Sequence, residues 1–218
     1  MININYQEFY SRGELLLRSI FGIFYIFIPH YFCLFFLTIW GTILQFLTFW
    51  VILFAGRFPE NWFDYQLKLR RWGFRVQARA FNMADDYPAF GLSSTDDHTI
   101  YEVEYNEHPD RLSVLLRAVF GFLYVYIPHG IILFILAFVV QLLLFLSWWA
   151  VLFTGRYPKG FFDFNLNFLR WSARVDLYMS YMTDRYPPFS LEDAGQDYVP
   201  QGSPGYENGK NYNEKDLV

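Results

Sequence analysis

The stretch Ser19–Phe54, SIFGIFYIFIPHYFCLFFLTIWGTILQFLTFWVILF, decides the fold. It holds no Asp, Glu, Lys or Arg, and His30 is the only side chain in it that could gain charge near neutral pH. The run is about twice the ~18 apolar residues at which a transmembrane reading begins. A soluble core helix rarely stays apolar on all its faces for so long, because one face should meet water. Ala118–Phe153, AVFGFLYVYIPHGIILFILAFVVQLLLFLSWWAVLF, repeats the pattern with His129 in the place of His30. Membrane insertion follows from both runs.

Working outward, the two runs are copies. Sliding the 218-residue chain against itself by 99 residues lays 2–92 on 101–191 without a gap, with about 37 of 91 positions identical. Arg18 falls on Arg117, Pro29-His30 on Pro128-His129, and Gly56-Arg57 on Gly155-Arg156. Arg71-Trp72 falls on Arg170-Trp171, and Arg75-Val76 on Arg174-Val175. Chance does not hold Pro, Gly, Trp and Arg in register over such a length, so the sequence predicts two tandem modules, 1–92 and 111–191. Between them, 93–110 is an acidic linker with six acidic residues and no Lys or Arg. In it, Thr99–Val103 is a short β-favouring patch. The tail, 192–218, is rich in Gly, Pro, Asn and Asp and is expected to be disordered, because it cannot bury enough apolar surface to offset its ordering entropy.

The expected fold is an all-α membrane protein. One helix over the whole first run would be about 54 Å long, against a hydrocarbon core of ~30 Å. Proline removes a backbone donor and crowds the turn before it, so Pro29-His30 and Pro128-His129 are the expected helix breaks. Each module then reads as a Pro-His-broken apolar helical hairpin, its first leg either a thin crossing or a re-entrant leg, followed by an amphipathic interfacial helix. The basic residues after each run, Arg57 to Arg79 and Arg156 to Arg185, place both clusters in the cytoplasm by the positive-inside rule. Two clusters on one side require an even number of crossings per module, with both termini and the linker cytoplasmic. Met1–Glu14 lacks the features of a removable signal, so the first run is expected to stay as an anchor.

In the third helix of each module, Asp64, Lys68, Arg71 and Arg75 fall within an arc of about 60°. Asp163, Asn167, Arg170 and Arg174 share that spacing. Aromatic residues cover the rest, the pattern of a helix lying at a membrane surface with its arginines toward headgroups. Arg57, Arg71 and Arg75, with Arg156, Arg170 and Arg174, are therefore candidate ligands for anionic lipid headgroups, joined by Arg18 and Arg117 at the start of each run.

These motifs resemble a bacterial membrane family, the domain of unknown function numbered 4389. The second module carries the full set from Arg117 through Leu191: Arg…Gly…Pro-His, Leu-Phe-Thr-Gly-Arg-Tyr-Pro, Phe-Asp-Phe…Leu-Arg-Trp…Arg-Val, and a closing Asp-Arg-Tyr-Pro-Pro-Phe-Ser-Leu. The first departs at Ala55, Asn61 and the Asp86–Phe90 close. The resemblance implies a bacterial membrane protein and brings no activity. With the charge pattern, the expected location is the bacterial inner membrane, in a multi-pass arrangement.

Paired imidazoles at matched positions could ligate a b-type haem, but no acidic partner lies near them in sequence, so His30 and His129 read as residues at helix breaks and no cofactor is expected. One Cys and four His make no tetrahedral metal set, and no phosphate loop or nucleophile elbow is present. A net charge of −4 points away from nucleic acid. The expected function is non-enzymatic: an integral membrane protein that binds anionic lipid and serves as a scaffold or accessory subunit, with a membrane protein or a second copy as partner. The alternative is a small transporter or channel made from two parallel repeats or their oligomer.

Overall fold

The computed structural model describes residues 1–191; the tail expected to be disordered, 192–218, lies outside the described residues. Four helices dominate: α1 (Arg12–Ala55), α2 (Glu60–Ala80), α3 (Arg111–Thr154) and α4 (Lys159–Met179). Both α1 and α3 are 44 residues long and are apolar enough to cross a membrane. Two short strands, β1 (Ile2–Ile4) and β2 (Thr99–Tyr101), pair antiparallel with Ile2 opposite Tyr101. Each helix of the first half has bounds that recur 99 residues later.

The ends of the long helices follow local chemistry. The Ser11 hydroxyl accepts from the Glu14 N–H at the start of α1, and the Asp110 carboxylate accepts from the Ser113 N–H at the start of α3. Each stops at a glycine in the left-handed region, Gly56 (φ 69°) and Gly155 (φ 71°), and Pro59 or Pro158 opens the next helix. A side chain in that region costs about 1–2 kcal/mol. Gly56→Ala and Gly155→Ala should each lower Tm in detergent by about 2–8 °C, at ~2–4 °C per kcal/mol for a chain of this size. Circular-dichroism melting curves would check this.

The Pro-His pairs do not break the helices, and this corrects the expected hairpin. Ile23–Phe27 forms a π-helical turn, and the α-helix resumes at Ile28 with Pro29 in its first turn. Phe122–Tyr126 does the same before Pro128. A proline ring presses on the carbonyl four residues back. Here that carbonyl, of Tyr25 or Tyr124, belongs to the widened turn, which makes room for the ring. The chain therefore keeps its direction through each apolar run, and the first reversal comes at Gly56 or Gly155.

After that reversal α2 folds back along α1. The Tyr65 hydroxyl donates to the Leu37 carbonyl (2.8 Å) and the Gln66 amide to the Gly41 carbonyl (2.6 Å). The helices expected on the membrane surface are thus packed between α1 or α3 and the loops: in α2 only Glu60, Asn61 and Ala80 are exposed. The halves interlock end to end. Tyr10 N–H donates to the Gly155 carbonyl (2.8 Å), the Arg12 guanidinium to the Phe153 carbonyl (3.0 Å), and Trp148 Nε1 to the Ser19 hydroxyl (2.8 Å). At the other end Arg111 packs on Gly56. The start of each long helix therefore meets the end of the other, so α1 and α3 run antiparallel. One core joins both halves, with Leu15, Ile52, Phe63, Val114, Val151 and Phe162 among its members.

Candidate functional site

The residues expected to gather at lipid headgroups fall into three groups. Arg18 is buried: Nε donates to Asn82 Oδ1 (3.0 Å), Nη1 to the Ala84 carbonyl (2.8 Å), and Nη2 lies 3.5 Å from Asp85. Arg117 is buried likewise, with Nη1 donating to the carbonyls of Tyr178 and Thr183 (both 2.7 Å) and Nη2 to the Asp184 carboxylate. Its guanidinium also sits 4.4 Å over the Tyr178 ring. These arginines fix the segment after α2 or α4 onto the first turns of α1 or α3.

The second group holds the outer layer. Arg71 Nε donates to the Tyr101 carbonyl and Arg170 Nε to the Ile2 carbonyl, both at 2.8 Å. Ile2 and Tyr101 are partners in the strand pair, so matched arginines from α2 and α4 clip its two strands. Arg75 donates to the carbonyls of Gly91 and Ser94, and Arg174 to that of Ser190. Burial pulls the Arg75 guanidinium below its ordinary value, and Asp96 opposes that. Arg18, Arg71, Arg75, Arg117, Arg170 and Arg174 thus direct donors at protein acceptors. The planar fork suits this work, because each nitrogen can reach a different carbonyl.

The third group is exposed. Arg57 and Arg156 follow the glycine stops at the ends of the apolar runs, and the Arg156 guanidinium lies 4.8 Å over the Phe9 ring.

His30 and His129 sit in separate aromatic cages, one in each half. Trp72 Nε1 donates to His30 Nδ1 (2.7 Å), and Trp171 Nε1 donates to His129 Nδ1 (3.0 Å). Tyr87 and Phe90 close the first cage, Tyr186 and Phe189 the second. A nitrogen that accepts from an indole carries no proton, so each imidazole is held as the Nε2–H tautomer. The histidines accept from tryptophan, and the helix carbonyls that a proline break would have freed are not their partners.

Sequence reasoning missed the acids. Asp85 and Asp184 fall on each other at the 99-residue offset, as do their partners Arg18 and Arg117, and that double match was a usable signal. Arg79 had no such signal, since its counterpart is Tyr178. It makes a two-point ion pair with Asp96, and both side chains are nearly inaccessible. Burial pushes the Asp96 carboxyl up, but the hydrogen bonds from Arg79 and Thr99 outweigh it and hold the group below the ordinary carboxylate value. The acidic linker is therefore docked on the first half through Asp96, β2 and the Phe58 N–H to Glu107 carbonyl bond (2.9 Å).

Among the described residues no group of three or more His, Cys, Asp or Glu is arranged to hold a metal ion. No curated protein and no solved structure is significantly similar to the chain. Arg117, His129, Arg156, Arg170, Arg174 and Asp184 all fall within residues 111–190, which match the family model described as Domain of unknown function (DUF4389).

Proposed function

We propose that the chain is a non-enzymatic membrane protein, built from two copies of one module, that binds anionic lipid and acts as a scaffold or accessory subunit in a bacterial inner membrane. The observation that carries this reading is the outward apolar face of α1 and α3, which runs from Leu16 to Phe54 and from Leu112 to Phe153. A patch this long far exceeds what a soluble monomer exposes. Arg57 and Arg156 stand at matched ends of that face, where a guanidinium would meet lipid phosphate. The other six arginines are the internal frame that holds the face in shape. A pore would need polar residues along an open path, but Thr48 and Ser147 are buried and Gln45 donates to the Ser180 carbonyl. That leaves Thr38, Thr42 and Gln141 exposed among the polar residues of the runs after the Pro-His pairs, and Thr42 donates to the Thr38 carbonyl.

The test compares flotation with phosphatidylglycerol-containing and pure phosphatidylcholine vesicles. Each basic residue near an anionic surface contributes about 1 kcal/mol. Arg57→Gln with Arg156→Gln should therefore weaken binding to the anionic vesicles about 30-fold and leave neutral-vesicle binding unchanged. Equal loss on both vesicle types, or none on either, would remove the headgroup role.

A further inference from the structure

We infer that α1 and α3 lie flat in one leaflet, with their outer faces among its acyl chains and the arginine layer and strand pair in water. This rests on the membrane-binding reading above and adds an orientation to it.

The first ground is the division of each long helix into two sides along its whole length. Leu15, Arg18, Ile26, His30, Leu44 and Ile52 form a narrow buried stripe. The opposite side is exposed and predominantly apolar, with Ser19, Thr38 and Thr42 on α1 and Gln141 on α3 its few uncharged polar residues within 19–54 and 118–153. As a straight rod α1 would be about 66 Å long, roughly twice the ~30 Å hydrocarbon core.

The second ground is charge beside the middle of the rod. Tyr65 and Gln66 bond to the carbonyls of Leu37 and Gly41, so the neighbouring Asp64–Lys68 ion pair lies at that level. Its side chains are 49% and 35% exposed. If α1 crossed the bilayer at its centre, this pair would face hydrocarbon, at about 2.5–3.5 kcal/mol for each charge on the most lenient scale. Sliding the bilayer along the rods gives no relief. Because α1 and α3 are antiparallel, the Arg18–Asp85 and Arg117–Asp184 pairs lie toward opposite ends, and any central slab contains Asp64 and Lys68.

The third ground is the placing of the exposed indoles. Trp40 and Trp50 point outward from the middle and the end of α1, and Trp149 from the end of α3. A spanning helix gathers tryptophan at its two ends, whereas a helix lying at the interface meets that zone along its whole length. The flat orientation also puts both basic clusters on one side without any crossing.

The occupant of the apolar face is thus one phospholipid leaflet. To test this, the full chain with Cys33→Ser takes a nitroxide at Phe24→Cys, Phe36→Cys or Phe54→Cys, all outward sites. Each variant is reconstituted in phosphatidylcholine–phosphatidylglycerol vesicles, and depth is read from collision with oxygen and with a polar nickel chelate. The three labels should report one shallow depth, about 5–10 Å below the headgroups. A crossing helix would separate Phe24 and Phe54 by about 45 Å along its axis and put Phe36 deepest, which would overturn the orientation alone. Labels shielded from both reagents would mean that protein covers the face, and would overturn it too. Labels fully open to the chelate, in protein that fails to float, would overturn the membrane reading itself. Asp64→Cys and Ser94→Cys should react with an impermeant maleimide from the same side; reaction from opposite sides would contradict the flat arrangement.

Discussion

Arg117→Leu is expected to lower Tm by about 6–20 °C in detergent. The guanidinium is 1% exposed and serves Asp184 and two backbone carbonyls, so its removal leaves acceptors and a carboxylate without their donor. Breaking one side of a buried pair costs about 3–5 kcal/mol, and each kcal/mol shifts the midpoint by ~2–4 °C in a chain of this size. Arg117→Lys should recover only part of the loss, because an ammonium cannot address three acceptors in one plane. Arg18→Leu should shift Tm in the same direction by less, since its contact with Asp85 is longer at 3.5 Å. Thermal melts of the three variants beside wild type would check the order. A silent Arg117→Leu would show that the residue is not part of the frame.

Asp96→Ala is expected to cost a similar ~3–5 kcal/mol, because it leaves Arg79, at 1% exposure, without its counter-ion. This prediction has a pH signature. The folded carboxyl titrates below its unfolded value, so the unfolded state binds the proton first as pH falls. The contribution is therefore fully present above the ordinary carboxylate range and is lost as pH drops through the folded value. Melting curves of wild type and Asp96→Ala should stay separated from neutral pH down to mild acid and converge only in strong acid. A gap that closed near neutrality would assign the effect to another group.

What was legible in the sequence divides along a physical line. The apolar runs, the 99-residue recurrence and the Gly-Arg-Pro turns were readable, because burial and backbone constraint leave marks on residue type and spacing. Pro29 was misleading, because a proline interrupts a helix only when the preceding turn is of ordinary width, and nothing in Ile23–Phe27 advertises a wide one. The arginines were visible as a face but not by partner. A guanidinium meets a phosphate or a backbone carbonyl through the same donors, and only the fold reveals that Tyr101, Ile2, Gly91 and Ser190 are within reach of α2 and α4. Asp96 lay in a segment whose composition suggested a spacer, and its pairing with Arg79 depends on where β2 docks.

The widened turns have a further effect, on phase. In an unbroken α-helix Arg18 and His30 would project about 120° apart, since each residue advances ~100°. A turn that absorbs one extra residue reduces that angle to about 20° and sets both side chains on the same inward line. The identical spacing from Arg117 to His129 is reset in the same way by Phe122–Tyr126. The width of the turn and the number of residues between the arginine and the histidine therefore set the alignment together. Losing a single residue there would leave an ordinary α-helix with the same alignment, whereas closing the wide turn with all its residues kept would swing the guanidinium by about 100°, off its aspartate and onto the oily side.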